Sequence, residues 1–266
     1  MSGSPVGLLA RTLIETFMCA AVPPARHAWV TGWCYAIYSR DYKPGARPFE
    51  EGLHDWESAT LDSPLFPRRG HVLLGGAGGG RELRTLLQRG FTVTAFEPST
   101  MWTSALEVAG NRAAVLCGSY SDFVRAVTNG DGPLQEIAKQ RFDAIVLGWG
   151  SICHITADEL KELFVALRKV GPRAPVLLSF QLESPPHRFT PLKARLHRVL
   201  QRLGAPGEPC PRGLIFTRRA GFMYQFTTPT LYEIAATTGY TVAHYVPEWY
   251  SHAVWVPSAA ESKAGP

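Results

Sequence analysis

The stretch that decides the fold reads HVLLGGAGGGRELRTLLQRGFTVTAFEP, residues 71–98. His71–Leu74 is a short apolar run broken by glycine, the pattern of a strand buried on both faces of a parallel sheet. Five of the six residues from Gly75 to Gly80 are glycine. Glycines between a strand and a helix let the backbone approach a ligand closely, and the helix start behind them presents unpaired N–H groups. Arg81–Arg89 then places Leu83, Leu86 and Leu87 on one helical face, with Gly90 positioned to end the helix. Phe91–Phe96 is β-rich and runs into Glu97-Pro98. The stretch therefore predicts strand, bare loop, helix, strand and a terminal acid.

That acid carries chemical information. Gly76 and Glu97 lie twenty-one residues apart, matching the offset of about twenty at which an acid meets a ribose in nucleotide-binding α/β units. A carboxylate there accepts hydrogen bonds from both ribose hydroxyls. Two phosphate-binding patterns fail. The dinucleotide fingerprint needs glycines at i, i+2 and i+5. Counted from Gly76 the third position is Arg81, and counted from Gly78 it is Leu83. A P-loop needs Gly-Lys-Ser/Thr where Arg81-Glu82 stands. Glu82, in the first helical turn, would face a pyrophosphate; a zwitterionic amino-acid ligand bearing a sulfonium has no such conflict.

Outward from this unit, strands and helices alternate. A helix is predicted from Ser99 to Ala109, a strand over Ala113–Cys117, and a helix capped by Ser121 and beginning at Asp122. A fourth strand spans Phe142–Leu147, a capping box Thr156-x-x-Glu159 opens the next helix, and Pro175–Phe180 is a fifth strand. Residues 181–228 break the rhythm, with a basic amphipathic helix near 191–203 and a hairpin of Leu214–Thr217 and Phe222–Phe226. A helix from Thr228 through Thr237, then strands Tyr240–Val246 and His252–Val256, complete the pattern. Alternation of this kind predicts an α/β fold, a doubly wound and mostly parallel seven-stranded sheet with helices on both faces. The N-terminal block holds two helices, near 5–20 and 24–39, then a proline-punctuated loop to Pro67. The predicted division is a helical lid over 1–68, a sheet domain over 69–257 carrying a cap insertion at 181–228, and a disordered tail over 258–266.

The ordered set of motifs resembles the class I S-adenosylmethionine-dependent methyltransferases over about residues 70–256. The resemblance rests on Gly76-Ala77-Gly78-Gly79-Gly80, the acid Glu97, the strand Phe142-Asp-Ala-Ile-Val146, the segment Gly148-Trp149-Gly150-Ser151-Ile152-Cys153-His154, and the late run from Phe226 to Tyr240. It implies S-adenosylmethionine as cofactor and S-adenosylhomocysteine as product. The implied cofactor contacts are Gly76, Ala77, Gly78, Gly80, Glu97, Pro98, Ser119, Tyr120, Gly148 and Trp149. Two positions depart from the family pattern. Leu74 stands where an Asp is common, and the third strand ends in Gly118-Ser119-Tyr120 instead of an acid. Ser119 is then expected to bond the adenine amine and Tyr120 to pack on its ring.

The resemblance implies methyl transfer to an oxygen, nitrogen or carbon nucleophile of a small-molecule metabolite. His154, beyond the fourth strand, is the candidate base, with an ordinary pKa of ~6.5; a local hydrogen bond beside Thr156 is the competing reading. Tyr35, Tyr38 and Tyr42 are candidate pocket residues, with Tyr38 carried as the catalytic one; aromatics at helical spacing also build plain core. Two other functions remain open, a non-catalytic binder of the same cofactor and a nucleotide-dependent oxidoreductase of Rossmann type.

Composition bounds the rest. With 266 residues, 45% hydrophobic and 18% charged, the chain has a globular composition. Its net charge of +5 is scattered, no Asn/Asp-Pro-Pro-Tyr/Phe motif follows the fourth strand, and nucleic acid is not an expected partner. Five cysteines, Cys19, Cys34, Cys117, Cys153 and Cys210, lack metal-ligand spacing. They predict free thiols in a reducing cytoplasm and no bound metal. The apolar opening is interrupted by Arg11 and Glu15, so neither a signal peptide nor membrane insertion is expected. Oligomeric state is left open between monomer and homodimer.

Overall fold

A computed structural model describes residues 5–38, 45–100, 112–183, 185, 190–207, 213–248 and 250–258. The strands are β1 (His71–Gly75), β2 (Thr92–Glu97), β3 (Ala113–Cys117), β4 (Ala144–Leu147), β5 (Val176–Ser179), β6 (Leu214–Thr217), β7 (Gly221–Tyr224), β8 (Tyr240–Val246) and β9 (His252–Pro257). Seven form one sheet in the order β3-β2-β1-β4-β5-β9-β8, and β6 pairs with β7 apart from it. The run from β3 to β5 is parallel, while β9 and β8 add antiparallel to its edge. The predicted sheet stands.

Both faces of the sheet are covered, which is why its central strands carry runs of consecutive apolar residues, Val72–Leu74 in β1 and Ala144–Leu147 in β4. Side chains alternate along a strand, so Val72 and Leu74 face one way and Leu73 the other; all three are buried. Val72 and Leu74 join Val93, Ala95, Val146 and Leu177 in a cluster with Leu83 and Leu86 of the helix Arg81–Gln88 and with Leu61 and Phe66. On the opposite face, Phe123 of the helix Tyr120–Asn129 stacks on Phe96 at 5.5 Å. Phe164 of the helix Ala157–Val170 lies 4.2 Å from Trp255.

The chain divides into two compact units. One, residues 41–180 and 227–266, holds the sheet. The other, residues 1–40 and 181–226, holds the helices Pro5–Ala21, His27–Ile37 and Thr190–Arg202 with the β6–β7 hairpin, around Cys19, Cys34, Leu214, Phe216 and Phe222. Residues 45–68, read from the sequence as lid and loop, group with the sheet instead. The reason is apolar packing: Leu53, Trp56, Leu61, Leu65 and Phe66 lie against the β1–β2 core. A helix, Asp55–Leu61, also forms in this stretch. No single described helix is long and apolar enough to cross a membrane; Val6–Ala21 and Pro24–Ile37 pass that test only jointly, bent by 107° at their break.

Local chemistry explains the boundaries. The capping box at Thr156 forms as read, with the Thr156 N–H donating to Glu159 at 2.7 Å. The cap placed at Ser121 is corrected to Ser119. Its hydroxyl accepts the Asp122 N–H at 3.2 Å, its own N–H donates to the Asp122 carboxylate at 3.0 Å, and the helix starts at Tyr120. Ser119 directly follows the strand in extended backbone, φ −94°, so it is the residue already shaped as a cap. Ser119→Ala is expected to lower the unfolding free energy by about 1 kcal/mol, read by urea denaturation; an unchanged midpoint would contradict the assignment. The helix expected over Ser99–Ala109, Tyr42, Cys210 and the tail after Ser258 lie largely or wholly outside the described residues.

Candidate cofactor crevice

The strand order reverses between β1 and β4, and open α/β sheets bind ligands beside the carboxyl ends of strands at such a switch point. The glycine loop leaves β1 there. Gly76, Gly78 and Gly80 have φ of 69°, 52° and 89°, the left-handed region that other residues enter only with strain. The Gly76 and Ala77 N–H groups both donate to the Phe96 carbonyl, at 3.0 and 3.2 Å, which ties the loop to the end of β2. Gly148 donates its N–H to the Gly75 carbonyl at 2.8 Å, and a Cβ on it would stand 2.2 Å from the Gly76 oxygen. A Cβ on Gly78 would meet nothing within 4 Å. The loop is thus packed at Gly76 and open at Gly78.

Glu97 sits at the end of β2, only 8% exposed. Its Oε2 accepts the Gly78 N–H at 2.9 Å and its Oε1 the Ser99 N–H at 3.1 Å. No ion pair to it is found among the described residues. Burial pushes its carboxyl above the ordinary range, the two N–H bonds pull it partway back, and the nearby Glu82 charge raises it again. A buried carboxylate without a cation costs stability, and such groups cluster at functional sites. Each oxygen accepts one N–H and keeps lone pairs for further donors.

Behind the loop lies a buried charged triad. Arg81 donates from Nη1 to Glu57 Oε2 at 2.6 Å and from Nη2 to Glu57 Oε1 at 2.7 Å, a bidentate pair. Nη2 also reaches Glu82 Oε1 at 2.7 Å, and Nη1 the Gly52 carbonyl at 2.9 Å. Glu82 Oε1 accepts the Trp149 N–H at 3.1 Å. With both acids ionised the triad sums to −1 beside the loop. That charge opposes a pyrophosphate and suits a cationic ligand group. Burial pushes the Glu57 carboxyl up, against the pull of Arg81.

The other expected contacts fall as follows. Gly76, Ala77, Gly78, Gly80, Glu97, Pro98, Gly148 and Trp149 come together at this edge through the loop, the end of β2 and the turn after β4. Trp149 is half-exposed, with its ring 5.0 Å from His54 and 5.6 Å from Tyr250. The Ser119 hydroxyl is engaged in its cap, donating to Asp122 at 2.7 Å. The Tyr120 hydroxyl points under the loop, 3.0 Å from the Gly75 carbonyl and 2.6 Å from Ser151 Oγ, with its ring edge-on to Phe96. His154 ends the short turn Ser151–His154 that follows β4. Tyr38 ends the helix His27–Ile37 in the other unit, with the Arg219 guanidinium 5.9 Å over its ring.

Sequence reading missed Glu57, Arg81 as a core cation, His54 and Tyr250. Tyr250 has φ 55°, the left-handed region, and its ring stacks on His54 at 5.0 Å. Neither periodicity nor a motif marks these residues, since the contacts that bring them together, Arg81 with Glu57 and His54 with Tyr250, span 24 and 196 positions. Arg81 alone carried a signal, as a cation directly after the glycine loop.

No protein-family model matches the sequence, and no curated protein sequence matches it. Many solved structures share the fold. A Burkholderia thailandensis 1,6-didemethyltoxoflavin-N1-methyltransferase, solved with bound 1,6-didemethyltoxoflavin and S-adenosylhomocysteine, aligns over 90% of this chain and 93% of its own, with TM-score 0.51 and 18% identity. The magnesium protoporphyrin IX methyltransferase of Synechocystis PCC 6803, solved with S-adenosylhomocysteine, aligns over 93% and 99%, with TM-score 0.53 and 17% identity. A Rhodobacter sphaeroides protein described as a putative Zn-dependent alcohol dehydrogenase aligns over 86% and 98%, with TM-score 0.56 and 15% identity. At these identities the likeness concerns the fold alone, and chemistry has to be argued from the site. The sheet order, the glycine loop at its switch point and these alignments together give the chain a Rossmann-like fold, which it shares with these two methyltransferases.

Proposed function

We propose that the protein is an S-adenosylmethionine-dependent methyltransferase acting on a small-molecule metabolite. The observation that carries this reading is Glu97, a buried carboxylate without a cation, hydrogen-bonded to an open glycine loop. Its free lone pairs suit two ribose hydroxyls. The net negative triad behind the loop disfavours a dinucleotide, which separates this reading from an oxidoreductase on the same fold. When bound, the cofactor supplies an electrophilic methyl group on a cationic sulfur.

The chain's own residues do the rest. Glu97 holds the sugar, the bare backbone at Gly78 leaves room for the amino-acid tail, and Glu82 places its charge near the cationic groups. Trp149 is held at the rim by its N–H bond to Glu82. Holding two reactants in line accounts for much of the rate in a displacement of this kind. Where the acceptor carries a proton, His154 is the proposed base; the contacts of Ser119 and Tyr120 with adenine, and the catalytic part of Tyr38, rest on the sequence alone. The proposed compartment is the cytoplasm, on the odd number of cysteines and their lack of ligand spacing in the sequence.

Calorimetric titration with S-adenosylhomocysteine and, in parallel, NADH tests the cofactor. Binding of the first and not the second is expected; the reverse would overturn the reading. Once an acceptor is in hand, His154→Asn is expected to lower turnover about 100-fold or more and to remove the acidic limb of the pH profile. Intact turnover with an unchanged profile would remove His154 from the mechanism.

A further inference from the structure

The smaller unit, residues 1–40 and 181–226, has a surface that its own fold does not explain. The helix His27–Ile37 buries His27 and Cys34, and His27 stacks on Phe222 at 3.9 Å. Its exposed positions are Ala28, Trp29, Gly32, Trp33, Ala36 and Ile37. None is charged or even polar. Trp29 and Trp33 are 69% and 59% exposed and stand one turn apart. The preceding helix, Pro5–Ala21, exposes Val6, Leu13 and Phe17 at a spacing that keeps them on one face, with Arg11 exposed away from that face. Lone surface hydrophobics are ordinary, but a whole solvent face without a polar residue marks an interaction site.

The third helix of the unit, Thr190–Arg202, is of a different kind. Leu192, Val199 and the following Leu203 are exposed along one line, and Arg195, Arg198 and Arg202 flank it. Among the described residues none of these arginines is ion-paired; in this helix only Lys193 is, with Glu15. The charge of the unit is lopsided. It holds eleven of the chain's 27 Lys and Arg and three of its 22 Asp and Glu, a net +8. The whole chain carries +5, so the sheet-bearing remainder carries −3. The unit's net charge is thus opposite in sign to that of the remainder, and Arg195, Arg198 and Arg202 border an exposed apolar line.

We infer that this unit is a peripheral docking module for an anionic lipid bilayer. Interfacial helices join an apolar face containing Trp, Phe and Leu to Lys and Arg that meet lipid phosphates. Indole rings favour the headgroup level, where one edge is apolar and the other wet. A helix of eleven residues is about 16 Å long, roughly half the ~30 Å hydrocarbon thickness, so it lies in the interface and does not cross it. Both sources of affinity are present, and each is weak alone. The consequence for the proposed chemistry is access to an acceptor dissolved in, or attached to, a membrane.

The test is flotation of the full-length protein with vesicles of phosphatidylcholine alone and of phosphatidylcholine mixed with phosphatidylglycerol. The protein is expected to float with the mixed vesicles and stay behind with the neutral ones. Raising salt from about 0.1 M to about 1 M, which shortens the screening length from about 10 to about 3 Å, should release it. Trp29→Ser with Trp33→Ser should lower partitioning about tenfold or more while leaving the thermal midpoint unchanged. Arg195→Gln with Arg198→Gln and Arg202→Gln should reduce the preference for anionic lipid. Absence of binding to either vesicle at low salt overturns the inference, and needs no variant. So does binding that ignores the tryptophan pair, which reports charge alone. Sedimentation showing a dimer that the tryptophan substitutions dissociate, with no vesicle binding, would assign the face to a second copy of the chain. None of these outcomes depends on whether S-adenosylhomocysteine binds.

Discussion

Arg81→Met is expected to lower the unfolding free energy by about 3–5 kcal/mol at neutral pH, the range found when one partner of a buried ion pair is removed. The substitution nearly keeps volume, so packing is not the cause. It leaves Glu57 and Glu82, 3% and 5% exposed, facing one another without the guanidinium that neutralises both. Their remaining donors are the His54 N–H to Glu57 at 2.7 Å and the Trp149 N–H to Glu82. One carboxyl should respond by taking a proton. Glu57 is already raised by burial, so in the variant the folded state binds protons more tightly than the unfolded one. Stability of such a group improves as pH falls through its folded pKa and is lost as pH rises. The deficit should therefore shrink between about pH 7 and about pH 5. Urea denaturation at both values reads it. A loss under about 1 kcal/mol would mean the carboxylates reach water. Arg81→Lys should rescue only in part, because an ammonium cannot make the forked pair with Glu57 while also holding Glu82 and Gly52.

Glu97→Ala is expected to weaken S-adenosylhomocysteine by about 2 kcal/mol, roughly 30-fold, through loss of charge-assisted hydrogen bonds to the ribose. The same change strips the Gly78 and Ser99 N–H groups of their acceptor, so part of the loss comes from a looser loop. Glu97→Gln separates the two effects, since an amide oxygen still accepts one N–H but carries no charge. The pH dependence follows from the raised carboxyl. Ribose hydroxyls donate to the ionised form, so affinity should fall as pH drops through a value above the ordinary carboxylate range. It should be flat from there upward. Glu97→Gln should show no such fall. Calorimetric titration of the variants across pH measures both; equal affinities would refute the ribose assignment.

The parallel core was legible because its information is local. Val72–Leu74 of β1 is an unbroken apolar run, the glycine loop follows at once, and Glu97 closes the next strand, so residues 71–98 define strand, loop and acid without any distant contact. Thr156 and Glu159 likewise announce their helix by three-residue spacing. Ser119 was misread because two serines compete near the same helix start, and backbone shape, absent from a sequence, selects the first. The group Glu57, Arg81 and Glu82 was illegible for another reason. Arg81 and Glu57 are twenty-four positions apart, and a charged residue at the end of a helix looks solvated until the segment before β1 is known to fold against the sheet. The same gap hid the grouping of residues 45–68, whose prolines read as loop while Trp56, Leu61 and Phe66 were packing into the core.

A crystal structure of the protein with S-adenosylhomocysteine tests the central claim most directly. The adenosyl group should lie along the carboxyl edge of β1, β2 and β4, with both ribose hydroxyls within hydrogen-bond distance of Glu97 and the homocysteine tail over Gly78. A ligand seated elsewhere, or a Glu97 carboxylate that touches no part of it, would contradict the account.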